Sequence, residues 1–144
     1  MSARRLAALG SLVLLTAGPH SAAAARQMRT TWTGVYSRAQ AMRAEPVYEE
    51  QCGSCHGSDL RGGGFAPALV GSTFAGNWNG ATLEGLLDRI RTTMPLAAPG
   101  SLSRAQCADI LAFILSKGGF PAGEMELASQ QEILKQIAFV ATER

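Results

Sequence analysis

The pentapeptide Cys52-Gly53-Ser54-Cys55-His56 constrains this chain more than any other stretch. Two cysteines separated by two residues, with histidine next, make the C-x-x-C-H pattern at which a c-type haem is attached. The spacing has a chemical reason. Two thiols on one turn of chain can add to two vinyl groups on one edge of a macrocycle, and the following imidazole is then held within reach of the iron. A chain built this way folds around its cofactor. Two other readings use the same residues. Cys52 and Cys55 can form a redox disulfide, as C-x-x-C pairs do. They can also join His56 and Cys107 in a Cys3His zinc set.

The rest of the chain weighs these readings. A thioredoxin-like disulfide needs a βαβ pattern, and none appears. Cys107 falls in the middle of an apolar helical stripe, which suits a buried thiol better than a zinc ligand, so we read it as core. Of the three cysteines this leaves one pair and one packed leftover. His20 lies in the N-terminal leader described next, so His56 is the only histidine of the mature chain. A bis-histidine haem and a separate histidine base are both excluded.

Residues 1–25 have the layout of a secretory signal peptide. Arg4 and Arg5 precede an apolar run from Leu6 to Ala17, and Ala22 to Ala25 supply the small-residue cleavage region. The apolar run is well short of the ~20 residues a spanning helix needs. The paired arginines also occur in twin-arginine leaders, but two arginines are an ordinary charged start, and the general secretory route is favoured. The expected organisation is a cleaved leader at 1–25, a flexible lead-in at 26–36, one domain at 37–123, and a C-terminal extension at 124–144 with a short helix. The chain has 13 Lys plus Arg against 11 Asp plus Glu. Once Arg4 and Arg5 leave with the signal, the mature protein is formally neutral. With Lys117 and Lys135 as its only lysines, it has no basic docking patch of the lysine-rich kind, and nucleic acid is not an indicated partner.

Periodicity predicts helices joined by loops. Ser37 with Gln40 makes a capping-box pattern, followed by a face of Ala39, Met42, Val47 and Tyr48 that runs to Cys52. Pro46 interrupts that helix and predicts a kink. Glycines from Gly57 to Gly71 predict a wrapping loop. Thr82 caps a helix with Leu83, Leu86, Leu87 and Ile90 inward, which ends at Met94-Pro95. Ser103 with Gln106 opens another, with Cys107, Ile110, Leu111 and Ile114 as its stripe, stopped by Gly118-Gly119. Ser129 is the expected cap of a last short helix with Ile133, Leu134 and Ile137 inward. The fold class is all-α.

A c-type haem iron can take a methionine thioether opposite histidine. The mature chain offers Met28, Met42, Met94 and Met125. Met42 is expected to fill core, and Met28 and Met125 lie towards the ends. Met94 sits at a helix terminus before a stiffening proline, and it is the expected second ligand. The alternative is a loop methionine packing on a helix.

C-x-x-C-H, then Ala66-Pro67-Ala68-Leu69 in a Gly-rich segment, then Met94-Pro95, then a capped amphipathic helix together resemble a class I cytochrome c over about residues 37–119. Gly34-Val35-Tyr36, Asn77-Trp78 and Gly119-Phe120-Pro121-Ala122-Gly123 are similar to small bacterial modules, some of which accompany periplasmic, often quinone-cofactor, dehydrogenases. The resemblance implies the cytochrome c fold around one covalent haem c, bonded at Cys52 and Cys55 and ligated by His56 and Met94. It implies that the Pro67 carbonyl accepts a hydrogen bond from the ligating imidazole and that Leu69 packs on the haem. It also implies that Tyr48 crosses the last long helix near Ile110 and Phe113. Ala44 stands where the family usually has glycine. Trp78 and Arg91 are candidates for the haem propionates, with core aromatic and solvated arginine as the alternatives.

The implied function is one-electron transfer in the periplasm, without catalysis, by a monomer or a subunit of a dehydrogenase complex that does not span the membrane. A dehydrogenase would donate, and an oxidase or another cytochrome would accept. If Met94 is not a ligand, a haem peroxidase or gas-binding haem protein is the alternative.

Overall fold

The computed structural model describes residues 29–143. The expected leader, Met28 and Arg144 lie outside them. In chain order the elements are β1 (Arg29–Thr30), α1 (Arg38–Tyr48), a π-helical turn (Glu49–Gly53), α2 (Ser54–His56) and α3 (Gly71–Trp78). They continue with α4 (Leu83–Thr93), α5 (Arg104–Lys117), α6 (Gln131–Leu134) and β2 (Ile137–Ala138). The architecture is the expected all-α one. The two-residue strands add only a short parallel pair, with Arg29 opposite Ile137 and Thr30 opposite Ala138.

Helix α5 is the axis of the core. Ser103 and Gln106 form a complete, reciprocal capping box at its start. Its buried residues are not a stripe but nearly the whole circumference from Cys107 to Leu115, which is the signature of a helix surrounded by neighbours. Helix α1 crosses it. Small Ala41 and Ala44 are buried on that side, and the Tyr48 ring lies 5.0 Å from the Phe113 ring. On α4, Leu83, Leu86, Leu87 and Ile90 are all buried, as their spacing predicts. Its Glu84, itself buried, receives two hydrogen bonds from Arg104 at 2.6 and 3.2 Å, which join α4 to the start of α5.

Several local expectations need correction. On α1 the inward face is Gln40, Ala41, Ala44 and Tyr48, whereas Ala39 and Met42 face solvent, Met42 at 66% exposure. The reason is that Tyr48, docked on α5, fixes the rotation of the helix, and residues four and seven before it must share its face. Ser37 accepts from the Gln40 amide, but the Gln40 side chain does not return to the cap. Instead it reaches the tail. At Pro46 the helix does not break; three residues later its hydrogen bonding widens into the π-helical turn that carries Cys52. Helix α3 was not expected. Phe74, Ala75 and Trp78 have the spacing for it, but neighbouring glycines obscure the pattern.

The largest difference lies at the two ends. From Arg29 on, the lead-in is not free but held by β2 and by Trp32, whose indole donates to the Val140 carbonyl at 2.8 Å and packs on Phe120. The extension after Gly119 is strapped across the body. Tyr36 donates to the Phe120 carbonyl at 2.7 Å, and Gln40 pairs with both backbone groups of Leu127 at 2.6 and 3.0 Å. Phe139 exchanges backbone hydrogen bonds with Gly80 and Ala81, both at 2.8 Å. Leu127, Leu134, Ile137 and Phe139 are buried. The last helix is α6, capped by Gln130 rather than Ser129; Ile133 is exposed and Ile137 belongs to β2.

Gln40→Ala strips both partners from the buried Leu127 peptide groups and is expected to cost about 2–3 kcal/mol. Met42→Ala, on the solvent side of the same helix, should stay within about 0.5 kcal/mol. Urea unfolding midpoints of the two variants check this.

Candidate functional site

One cavity of about 790 Å³ lies between the loop after α2, helices α3 and α4, and the inner side of α5. That is towards the upper end of the roughly 300–1,000 Å³ typical of ligand and cofactor pockets. Cys52, Cys55, His56, Pro67, Leu69, Trp78 and Met94 all line it, so residues spread over more than 40 positions of sequence meet on one surface. Its walls are apolar, with Phe74 from α3, Leu86 and Ile90 from α4, and Ile110 and Ile114 from α5. The mouth is apolar too: Phe65 is fully exposed and Leu96 is 79% exposed.

The π-helical turn and α2 place the motif. Cys52 is half-buried and Cys55 exposed, and neither is in a disulfide. Burial first, then the neighbouring Cys107 and Cys55, push the free Cys52 thiol up to about 11. His56 closes α2 and is buried. Its Nδ1 lies 2.8 Å from the Pro67 carbonyl oxygen. A carbonyl can only accept, so Nδ1 is the donor, and in the neutral ring the lone pair then lies on Nε2. That is the tautomer a metal-ligating imidazole requires, with its other nitrogen oriented by a backbone partner.

The loop that brings Pro67 back to His56 is tied down at several points. The Gly62 amide donates to the His56 carbonyl at 2.9 Å, and the Leu69 amide donates to Leu60 at 2.8 Å. Leu60 is completely buried and anchors the turn. Tyr48, at the end of α1, donates its hydroxyl to the Gly57 carbonyl at 2.9 Å. Burial pushes that hydroxyl above its ordinary range and keeps it a donor. Met94 follows the last turn of α4 in extended conformation, its amide bonded to Ile90 at 3.0 Å. The terminus thereby presents the thioether side chain to the cavity.

Arg91 is not on this surface, whereas Arg89 is. With Leu86 and Ile90 turned inward, the ~100° per residue of a helix carries Arg91 away from the wall. Its guanidinium meets Asp88 at 3.3 Å, and its Nε is buried with no partner among the described residues. Cys107 is fully buried, as expected of a core thiol. Among the described residues no group of three or more His, Cys, Asp or Glu could hold a metal ion, which removes the Cys3His reading. The donors present are two unpaired thiols, one imidazole of fixed tautomer and one thioether, on apolar walls. They fit a covalent haem. Sequence reasoning missed Phe74 and Arg89, and read Leu86, Ile90, Ile110 and Ile114 as ordinary core. Their helical spacing was visible, but not which part of each face borders a cavity.

Tyr48→Phe keeps the ring on Phe113 while leaving the Gly57 carbonyl without its donor. A loss of about 1–2 kcal/mol in unfolding free energy is expected, measured by thermal denaturation of the haem-loaded protein.

Comparison with known proteins agrees with this geometry. Residues 39–114 match the family model described as cytochrome C oxidase, cbb3-type, subunit III. No curated protein matches the chain significantly. Among solved structures it is similar to a chain of the crystal structure of the sulfane dehydrogenase SoxCD from Paracoccus pantotrophus. That likeness has 20% identity and a TM-score of 0.50, and it covers 91% of this chain and 67% of the other. The similarity lies in the fold. With more than half its length in the family match, and with the fold that goes with it, the chain belongs to the cytochrome c family, as a small class I member carrying covalently bound haem c.

Proposed function

We propose that the protein carries single electrons between redox proteins in the periplasm, with haem c bonded to Cys52 and Cys55 and ligated by His56 and Met94. The observation that carries the proposal is the 2.8 Å hydrogen bond from His56 Nδ1 to Pro67, with both cysteines and Met94 on the same apolar cavity. When bound, the haem supplies one-electron Fe(III)/Fe(II) chemistry. The chain does the rest. His56 and Met94 would hold the iron between them, an arrangement that would exclude a small substrate and suits a carrier better than an enzyme. Leu69, Phe74 and Ile110 line the cavity and would exclude water, and Trp78 on the same wall would meet a propionate. No helix among the described residues is long and apolar enough to cross a membrane. A leader at 1–25 would export the chain.

A dehydrogenase is the proposed donor and an oxidase or another cytochrome the acceptor. The fold shared with a chain of the SoxCD structure favours a second form of this reading, in which the protein is the electron-transfer subunit of one dehydrogenase complex. Cys55, Phe65 and Leu96 give the cavity mouth an exposed, largely apolar rim for a small transient contact.

In the oxidised protein a weak sulfur-to-iron charge-transfer band is expected, and the reduced protein should not bind carbon monoxide at neutral pH. Met94→Ala should abolish the band, admit carbon monoxide and lower the reduction potential. A wild type that lacks the band and binds carbon monoxide readily would sink the ligand assignment and favour a peroxidase or gas-binding role. Association with a redox partner should depend weakly on salt, because the mature chain is formally neutral and lysine-poor. A steep fall in association rate with ionic strength would contradict the apolar docking surface.

A further inference from the structure

The loop between α2 and α3 contains a contact that glycine alone permits. Gly62 has φ +78°, and a Cβ added there would strike the Ala66 carbonyl oxygen and stand 2.8 Å from both the Ala68 nitrogen and the Pro67 carbonyl carbon. All three are backbone atoms, so none can swing aside. The peptide unit thus pressed against Gly62 is the one whose oxygen accepts from His56 Nδ1 at 2.8 Å. The Gly62 amide also donates to the His56 main-chain carbonyl at 2.9 Å. One residue therefore touches both ends of the bond that orients the imidazole.

We propose that Gly62 is a positioning residue for the His56 imidazole: having no side chain, it lets the Pro67 peptide close on the loop so that its carbonyl reaches Nδ1. The inference rests on the reading of His56 as an axial ligand. An Nδ1–H that donates to a carbonyl makes the imidazole a stronger donor and favours the oxidised state. A side chain at position 62 lifts the Pro67 carbonyl, weakens that bond and raises the reduction potential.

Gly71 supplies a matched control. It stands where the same loop enters α3, with φ +86°, and nothing lies within 4 Å of its added Cβ. Gly71→Ala thus carries the left-handed backbone strain without the collision, and it is not on the cavity wall. Both variants are made as haem-loaded protein, and the reduction potential and the exchange of the His56 Nδ1 proton are measured. Gly62→Ala should raise the potential and speed the proton's exchange roughly tenfold, about the factor that one hydrogen bond is worth. Gly71→Ala should leave both near wild type. Gly62→Asn, which accepts left-handed angles more readily, is the second variant if alanine prevents folding. Equal shifts in the 62 and 71 variants, or none in either, overturn the proposal. If no variant at position 62 accumulates, the wild-type ring proton decides: protection supports the proposal, and exchange as fast as in free imidazole overturns it. The parent reading is tested separately. Wild-type His56 ring protons without a porphyrin ring-current shift would remove the ligand assignment itself. Shifted protons that Gly62→Ala leaves unmoved would remove only the role of Gly62.

Discussion

The hydrogen bond between His56 Nδ1 and the Pro67 carbonyl is the interaction on which the site depends. It spans eleven residues, so the chain must turn back on itself between the end of α2 and the start of α3. Once it has done so, the imidazole has one tautomer and one orientation. Everything near it then serves to keep the turn closed. The Gly57 carbonyl is held by Tyr48, the His56 carbonyl by Gly62, and the Leu60 carbonyl by Leu69, while the Leu60 side chain is sunk in the core. A loop this rich in glycine would be mobile without those ties. Its order comes from hydrogen bonds to α1 and α2 and from others within the loop itself.

Those elements are themselves held by one crossing. Helix α5 is buried nearly all round because α1, α4 and the cavity each take a sector of it. Tyr48 serves both the crossing and the loop, its ring on Phe113 and its hydroxyl on Gly57. Packing at the α1–α5 crossing is thereby transmitted to the haem motif that begins four residues further on. The tail adds a second brace. Its exposed ion pairs, such as Arg43 with Glu126 at 2.7 Å, contribute little in water. The buried Gln40 contacts and the apolar anchors Leu127, Leu134 and Phe139 carry more, because broken buried bonds are not replaced by solvent.

Much of this was legible in the residues. The caps at Ser37, Thr82 and Ser103 each receive the expected backbone bond, since a cap needs only neighbours three positions away. The inward face of α4 follows from its period. His56 and Pro67, paired by resemblance, are found bonded. The misreadings share a cause. Met42 was placed inside by side-chain type, but helix rotation decides its side, and rotation is set by partners elsewhere in the chain. Gln40 was read as a cap partner because its spacing fits that role; the tail, 87 residues away, offered a better one. Helix α3 has no side-chain cap to announce it and begins at a glycine.

What the sequence determined by itself is therefore local and chemical. It contains the C-x-x-C-H pentapeptide, most of the helix starts and stops, the apolar periods, and too few lysines for a lysine-rich docking patch. These depend on residue type and on spacings shorter than two helical turns, which chain connectivity enforces before any folding. Tertiary structure decided which parts of those faces became cavity wall, where the two ends of the chain were pinned, and how a glycine at position 62 came to lie against the peptide that orients His56. Such outcomes depend on contacts between distant segments, and those arise only when burial of the whole core selects one mutual arrangement.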